Sequence, residues 1–237
     1  MYLYLYEFLV TDWIGSTSYT WVGSTDYTWI ADFNGDGRAD MLFLDNNHKW
    51  HLATYPSGGP SLVFSEVGDT SGFGSAPWGC PIWPGDFNGD GKAEMLFFYP
   101  GDHNWWLGTY NGQQIVWSLA GNTAGFGHGI NDGRPFWVGR FSTPTKSEIL
   151  FFFPGDDNWW LGTYNGQQLV WTSAGNTSSF GPIADGRPFR IGDFNDDGKA
   201  EVLFYHPDDN AWQLGQWAGG TLHWNQVAST VGLWKLA

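Results

Sequence analysis

The chain has 237 residues, of which 17 are tryptophan and 34 glycine; aromatic residues make up 19 % and charged residues only 14 %. That composition favours short strands and tight turns over helices and argues against disorder. Ten basic residues against 24 acidic ones give a formal charge of -14, which repels a nucleic-acid backbone, and the single cysteine, Cys80, allows neither an internal disulfide nor a multi-cysteine zinc site.

The opening MYLYLYEFLV is apolar but has no basic flank or small-residue cleavage site, so it reads poorly as a signal peptide; no apolar run is long enough to span a membrane. Tyr2, Tyr4 and Tyr6 alternate as on a strand, and FLVTDWIGST (8–17) aligns with QIVWSLAGNT (114–123). Residues 1–24 are therefore predicted as the back half of a larger repeating unit. The repeat itself is plain further on. LFFYPGDHNWWLGTYNGQQIVWSLAGNTAGFG begins at Leu96 and returns from Leu150 with 25 of 32 positions identical. DFNGDG begins at Asp32 and Asp86 and returns as DFNDDG at Asp193, with Arg140 at the corresponding place in the third unit, giving spacings of 54, 54 and 53 residues.

Each unit reads as four short strands. In the second these are PIWPGDF, AEMLFFYP, NWWLGTYN and QQIVWSLAG, parted by Gly, Asn, Asp and Pro turns. Four strands in about 53 residues is the pattern of a β-propeller blade, whereas a solenoid uses shorter repeats. The predicted fold is a single all-β propeller of four-stranded antiparallel blades at 25–77, 78–130, 131–183 and 184–237, preceded by the partial blade. The tail after LHWNQVAST is too short to complete the opening half-blade. The edges are expected to close a small ring, to pair in a homo-oligomer, or to belong to a longer propeller.

Between the first and second strands of three units, oxygen-bearing side chains alternate before a glycine. They are Asp32, Asn34, Asp36 with Asp40; Asp86, Asn88, Asp90 with Glu94; and Asp193, Asn195, Asp197 with Glu201. Such loops suit Ca²⁺, with the carbonyls of Arg38, Lys92 and Lys199 as further ligands. The alternative is a metal-free turn in which Asp and Asn cap backbone amides. The third loop carries Arg140, Ser142 and Pro144 and is expected to hold no ion.

Ten tryptophans recur in register: Trp29, Trp83 and Trp137 on first strands, Trp50, Trp105, Trp159 and Trp212 on third strands, and Trp117, Trp171 and Trp224 on fourth strands. They are expected to fill the seams between blades. Trp106 and Trp160, replaced by His51 and Gln213 in the outer units, face the other way and are candidates for stacking on a sugar.

In such blades the 2–3 and 4–1 connections share one rim, and the acidic 1–2 loops lie on the other. The first rim gathers PGDHNW, PGDDNW, NDGRPF and ADGRPF. Two pockets are predicted there, one from Asp132, Arg134 and Phe136 with Asp156, Asp157, Asn158 and Trp159. The other joins Asp185, Arg187 and Phe189 to Asp208, Asp209 and Trp212. Carboxylates, a guanidinium and an aromatic wall suit a monosaccharide; an Asp-Gly-Arg turn pinned by an Arg–Asp pair explains the same residues without a ligand. Asp26 and Cys80 hold the arginine place in the first two units.

DFNGDGKAE before a strand resembles the FG-GAP/VCBS repeats of integrin-like propellers. The longer pattern LFFYPGDxNWWLGTYNGQQ…GNTxGFG…DGRPFW resembles lectins of the Photorhabdus type, seven-bladed propellers that bind fucose and O-methylated sugars. More distantly it resembles the Psathyrella mushroom lectin, which recognises N-acetylglucosamine. The resemblance implies sugar sites between blades; the departure is in blade number. The function expected is a multivalent, non-catalytic lectin acting on cell-surface glycans outside the cell, with an integrin-like adhesion module that binds protein as the alternative. An enzyme fits poorly, because the acids and tryptophans recur in register rather than forming one asymmetric constellation, and no P-loop, nucleophile elbow or HExxH occurs.

Overall fold

A computed structural model describes residues 27–73, 80–126, 136–180 and 189–231. The half-blade predicted over residues 1–24 lies outside them. The first sheet comprises β1 (Thr28–Ala31), β2 (Asp40–Leu44), β3 (Lys49–Thr54) and β4 (Val63–Asp69). The second has β5 (Ile82–Gly85), β6 (Glu94–Tyr99), β7 (Asn104–Tyr110) and β8 (Ile115–Asn122). The third has β9 (Phe136–Gly139), β10 (Glu148–Phe153), β11 (Asn158–Tyr164) and β12 (Leu169–Asn176). The fourth has β13 (Phe189–Gly192), β14 (Glu201–His206), β15 (Ala211–Ala218) and β16 (Thr221–Ser229). Each sheet pairs its strands in sequence order and antiparallel, as propeller blades do. A separate sheet for every repeat rules out a continuous solenoid. Among the described residues, no helix is long and apolar enough to cross a membrane.

The recurring tryptophans explain how blades pack. On β7, Trp105 and Leu107 turn toward the third blade, where Ile149, Tyr164 and Leu169 join them in one buried cluster. Trp105 stacks on Trp83 of its own blade and on Phe136 of the next, and meets Trp171 of that blade at a tilt. Trp50 repeats the arrangement with Trp29 and Trp117, and Trp159 with Trp137 and Trp224. Large flat rings thereby fill the wedge between neighbouring twisted sheets.

Two local devices make room for these rings. The first is a bulge opposite the core tryptophan, which shifts the register between the third and fourth strands in all four blades. It turns Val67, Ala120 and Ala174 into the core. The second is a glycine. Gly108, Gly162 and Gly215 pair across the sheet with Trp117, Trp171 and Trp224, and a Cβ at any of them would lie within 2.8 Å of the indole. The first blade has Ala53 at that place, opposite Phe64 instead of tryptophan.

Backbone bonds stitch the seams near the 1–2 loops. Ala93 N–H donates to the Asp32 carbonyl (2.7 Å), Ser147 N–H to Asp86 (2.6 Å) and Ala200 N–H to Arg140 (2.6 Å).

Candidate functional site

The 2–3 turns form the rim on which the sugar pockets were expected. Their geometry comes from one left-handed residue per turn: His48, His103, Asp157 and Asn210 all have φ between 50° and 64°. Asp, Asn and His tolerate that conformation better than bulkier side chains. In the third blade Asp156 Oδ1 accepts the Asn158 backbone N–H (3.0 Å). Asn176 Nδ2 then donates to the Asp156 carbonyl and to Asn158 Oδ1, both at 2.8 Å. The second blade repeats this with Asp102, Asn104 and Asn122. Beneath the turn, Trp105 Nε1 donates to Thr123 Oγ1 (3.1 Å) and Trp159 Nε1 to Thr177 Oγ1 (3.0 Å). The Gly-Asn-Thr segments ending the fourth strands therefore hold up the turn. Sequence reasoning assigned them no role, although their identical recurrence as GNT was the available signal.

The predicted pocket residues divide. Asp132, Arg134, Asp185 and Arg187 lie outside the described residues. Asp156 is exposed, with Asp157 and Asn158 half-buried beside it; Asp208 and Asp209 are exposed on the fourth-blade turn. Trp159, however, is 0 % exposed, so the aromatic wall expected there is corrected to a core residue.

The two phenylalanines are also corrected in their partners. Phe136 meets Trp83 and Trp105 of the preceding blade at 5.2 and 5.5 Å, and Phe189 meets Trp137 and Trp159 at 5.2 and 5.7 Å. Phe136 also stacks on Phe151 and Phe189 packs on Phe204 of their own blades, at 5.9 and 5.5 Å, so each ring straddles the seam with the preceding blade instead of lining its own blade's turn. Trp212 is half-buried against Tyr205, 5.5 Å away, with Arg190 rather than a tryptophan at its first-strand place.

Trp106 and Trp160 are half-buried, facing the seams with the first and second blades, and pair across their sheets with Phe97 and Leu119, and with Phe151 and Ser173. Leu119 is itself exposed. Their counterparts differ in kind. His51 is buried, stacked 4.9 Å from Phe43 and 3.1 Å from Asp45 Oδ2, and Gln213 is buried as well. The position is partly accessible only where it holds tryptophan.

The seam between the third and fourth blades has another unforeseen element. His206 Nε2 lies 2.7 Å from the Phe180 carbonyl, and its Nδ1 lies 2.9 Å from Asp209 Oδ2. Phe180 packs edge-on against Phe204 and Trp224. This ties the 4–1 connection of one blade to the turn of the next.

On the opposite rim, the acidic loops are dense in side chain to backbone bonds. Asp32 accepts N–H groups of Gly35, Asp36 and Gly37, and Asn34 Oδ1 accepts Asp36 N–H. Asp40 accepts those of Phe33 and Asn34, while Asp36 accepts Arg38 N–H and pairs with its guanidinium at 2.7 Å. Asp86, Asn88, Asp90 and Glu94 repeat the pattern, with Lys92 N–H on Asp90 Oδ1. Even the third loop, lacking the acidic motif, keeps the staple: Glu148 accepts Phe141 and Ser142 N–H. Burial drives the Asp40 carboxyl up to about 6 and the Glu94 carboxyl up to about 7, against the pull of these bonds, and raises Glu201 as well.

Fit to a divalent cation differs between loops. Asn34 Nδ2 lies between Asp36 Oδ2 and Asp40 Oδ1 at 3.2 and 3.4 Å, and Asn88 Nδ2 lies between Asp90 and Glu94 at 3.2 and 2.8 Å. An amide donor thus stands between the carboxylates in these two loops. In the fourth, Asp193, Asp197 and Glu201 bring oxygens within 4.8 Å of one another, Asn195 Oδ1 holds Asp197 N–H, and Lys199 Nζ lies 3.3 Å from Asp197 Oδ2. That oxygen set suits a hard cation.

Comparison with known proteins places this geometry. Residues 32–97, from the first acidic loop to the second strand of the second blade, match the FG-GAP-like repeat. No curated protein sequence matches the chain. A lectin of Agrocybe aegerita, whose structure concerns specific recognition of non-reducing terminal N-acetylglucosamine, superposes with TM-score 0.66 at 16 % identity. The match covers 86 % of this chain and 53 % of the lectin, so the chain spans about half its length. The Photorhabdus luminescens Tc holotoxin pore gives TM-score 0.53 at 11 % identity, over 87 % of this chain and 10 % of that one. AofleA from Arthrobotrys oligospora gives 0.47 at 12 %, over 85 % and 57 %. At these identities the likeness is one of fold. The chain is a β-propeller of four-stranded blades, with an FG-GAP-like repeat running from its first blade into its second.

Proposed function

We propose that the protein is a non-catalytic, multivalent lectin that binds monosaccharide units of glycans on the rim of the 2–3 turns. The observation carrying this reading is the pairing, in the second and third blades alike, of a rigid Asp-x-Asn turn with a half-buried tryptophan two residues further on. The turn offers carboxylate and amide groups for hydroxyls, and Trp106 and Trp160 offer apolar faces for a sugar ring. The likeness of fold to the Agrocybe lectin supports the reading and makes N-acetylglucosamine, with fucose, the first sugar to try. Repetition of a weak site on one rigid body gives avidity toward a glycan-coated surface, consistent with action outside the cell. A glycan array inhibited by free monosaccharide tests it; Trp106→Ala and Trp160→Ala should each weaken binding.

The FG-GAP-like match favours one second reading, an adhesion module that binds protein. Its signature is binding to a protein ligand that no sugar inhibits. We also propose structural Ca²⁺ in the Asp193–Glu201 loop, where the carboxylates converge. Calcium titration by calorimetry on wild type and on Asp197→Asn checks it, with loss of binding in the variant expected.

A further inference from the structure

The seam between the third and fourth blades holds a titratable ring that the proposed sugar rim does not use. His206 ends β14 and is 6 % exposed. Its repeat-equivalents are Asp45, Tyr99 and Phe153, so the fourth repeat alone puts an imidazole at this place. Both ring nitrogens face oxygen. Nε2 lies 2.7 Å from the Phe180 carbonyl, which can only accept. Nδ1 lies 2.9 Å from Asp209 Oδ2, off the line of an Nδ1–H bond, and has no hydrogen-bond partner among the described residues. A neutral imidazole carries one N–H, so either tautomer aims a lone pair at an oxygen: the carbonyl in one, the carboxylate in the other. The imidazolium has no such conflict. It donates from Nε2 to the carbonyl, and its charge pairs with Asp209.

The surroundings carry one sign. Asp209 is exposed, with Asp208 exposed beside it. Across the sheet His206 pairs with Ala211, and across the seam the Ser178–Phe180 turn is uncharged. The third-blade turn to which Thr177 is bonded adds only Asp156 and Asp157. Asp102 and Asp156, the equivalents of Asp209, accept the N–H of Asn104 and Asn158 within their own turns; Asp209 is turned to His206 instead. Phe180 closes its turn by donating its N–H to the Thr177 carbonyl (2.9 Å), and its ring meets His206 edge-on at 5.7 Å.

We propose that His206 is a proton-operated latch. As the imidazolium it ties the Ser178–Phe180 turn, where the chain leaves the third blade, to the 2–3 turn of the fourth. When the proton passes to solvent, one of the two contacts is released. Imidazole changes charge between about pH 5 and 8, so the latch is shut on the acid side of that range and open on the alkaline side. It stands whether or not the rim binds sugar.

Amide hydrogen exchange of the full chain, followed by NMR, reads the latch at the Phe180 N–H. Corrected for intrinsic exchange, protection of this amide should be about tenfold greater near pH 5.5 than near pH 8. His206→Phe, which installs the residue of the third blade, should abolish the difference, and Asp209→Asn should reduce it. If His206→Phe does not fold, Asp209→Asn, at an exposed position, decides alone. Equal protection at the two pH values in the wild type, or a difference undiminished by Asp209→Asn or by a folded His206→Phe, would overturn the proposal.

Discussion

Replacing Gly162 by alanine probes the packing rule that joins the third and fourth strands. A Cβ there would stand 2.6 Å from Cζ3, 2.8 Å from Cη2 and 2.9 Å from Cε3 of Trp171. Carbon atoms in contact prefer about 3.5–4.0 Å, so the indole must retreat by about 1 Å. It has little room, because Phe151 and Trp105 lie 5.3 and 5.9 Å away between ring centroids, and both are buried. Overpacking of this kind costs about 1–3 kcal/mol. The first blade shows the remedy, since Ala53 there faces Phe64. Trp171→Phe alone leaves a void and should cost about 1–3 kcal/mol. The double variant rebuilds the Ala–Phe pair and should cost at least about 1 kcal/mol less than the sum of the two. Urea unfolding followed by circular dichroism measures all three, provided the slope with denaturant is unchanged. Strict additivity, or a Gly162→Ala protein within about 0.3 kcal/mol of wild type, would refute the rule.

Other consequences follow from single bonds and buried charges. Thr177→Val leaves the buried Trp159 Nε1 without its acceptor and should cost about 1–3 kcal/mol. Thr230→Val, on the more open fourth blade where Thr230 bonds Tyr205 and the Asn210 carbonyl, should cost less; equal losses in urea unfolding would contradict the burial argument. Glu94 titrates near 7 in the folded chain, above its ordinary 4.5, so folding favours its protonated form. In chelator, its contribution to stability should be complete below about pH 4.5 and lost as pH rises through about 7. Glu94→Gln should flatten thermal stability between pH 5 and 8, and an unchanged pH profile would refute the burial argument.

Much of the blade was legible because it repeats. The recurrence of DFNGDG and NWWLGTYN located the strands, the two rims and the core tryptophans, since a position filled by tryptophan in every unit is most simply a seam residue. The bulge at Ala120, opposite Trp105, left no such mark, because an inserted residue changes pairing without changing composition. The seam bonds were equally hidden, being backbone to backbone between residues such as Asp32 and Ala93, far apart in sequence. The contacts of Phe136 and Phe189 with tryptophans of the preceding blade were missed because spacing reports order along the chain, and which rings meet across a seam appears only in three dimensions. Trp159 was expected both in the core and on a pocket wall; its burial decides for the core. The Asn34 and Asn88 amides show the same limit, as the motif names the residue and the fold decides which end faces the carboxylates.

The central claim, a sugar-binding rim carried by Trp106 and Trp160, is tested most directly by calorimetric titration of the full chain with N-acetylglucosamine and with fucose. Saturable binding of one of these sugars, weakened about tenfold or more (about 1.4 kcal/mol) by Trp106→Ala with Trp160→Ala, is the expected result. No saturable binding of either sugar, or binding untouched by the loss of both tryptophans, would contradict it.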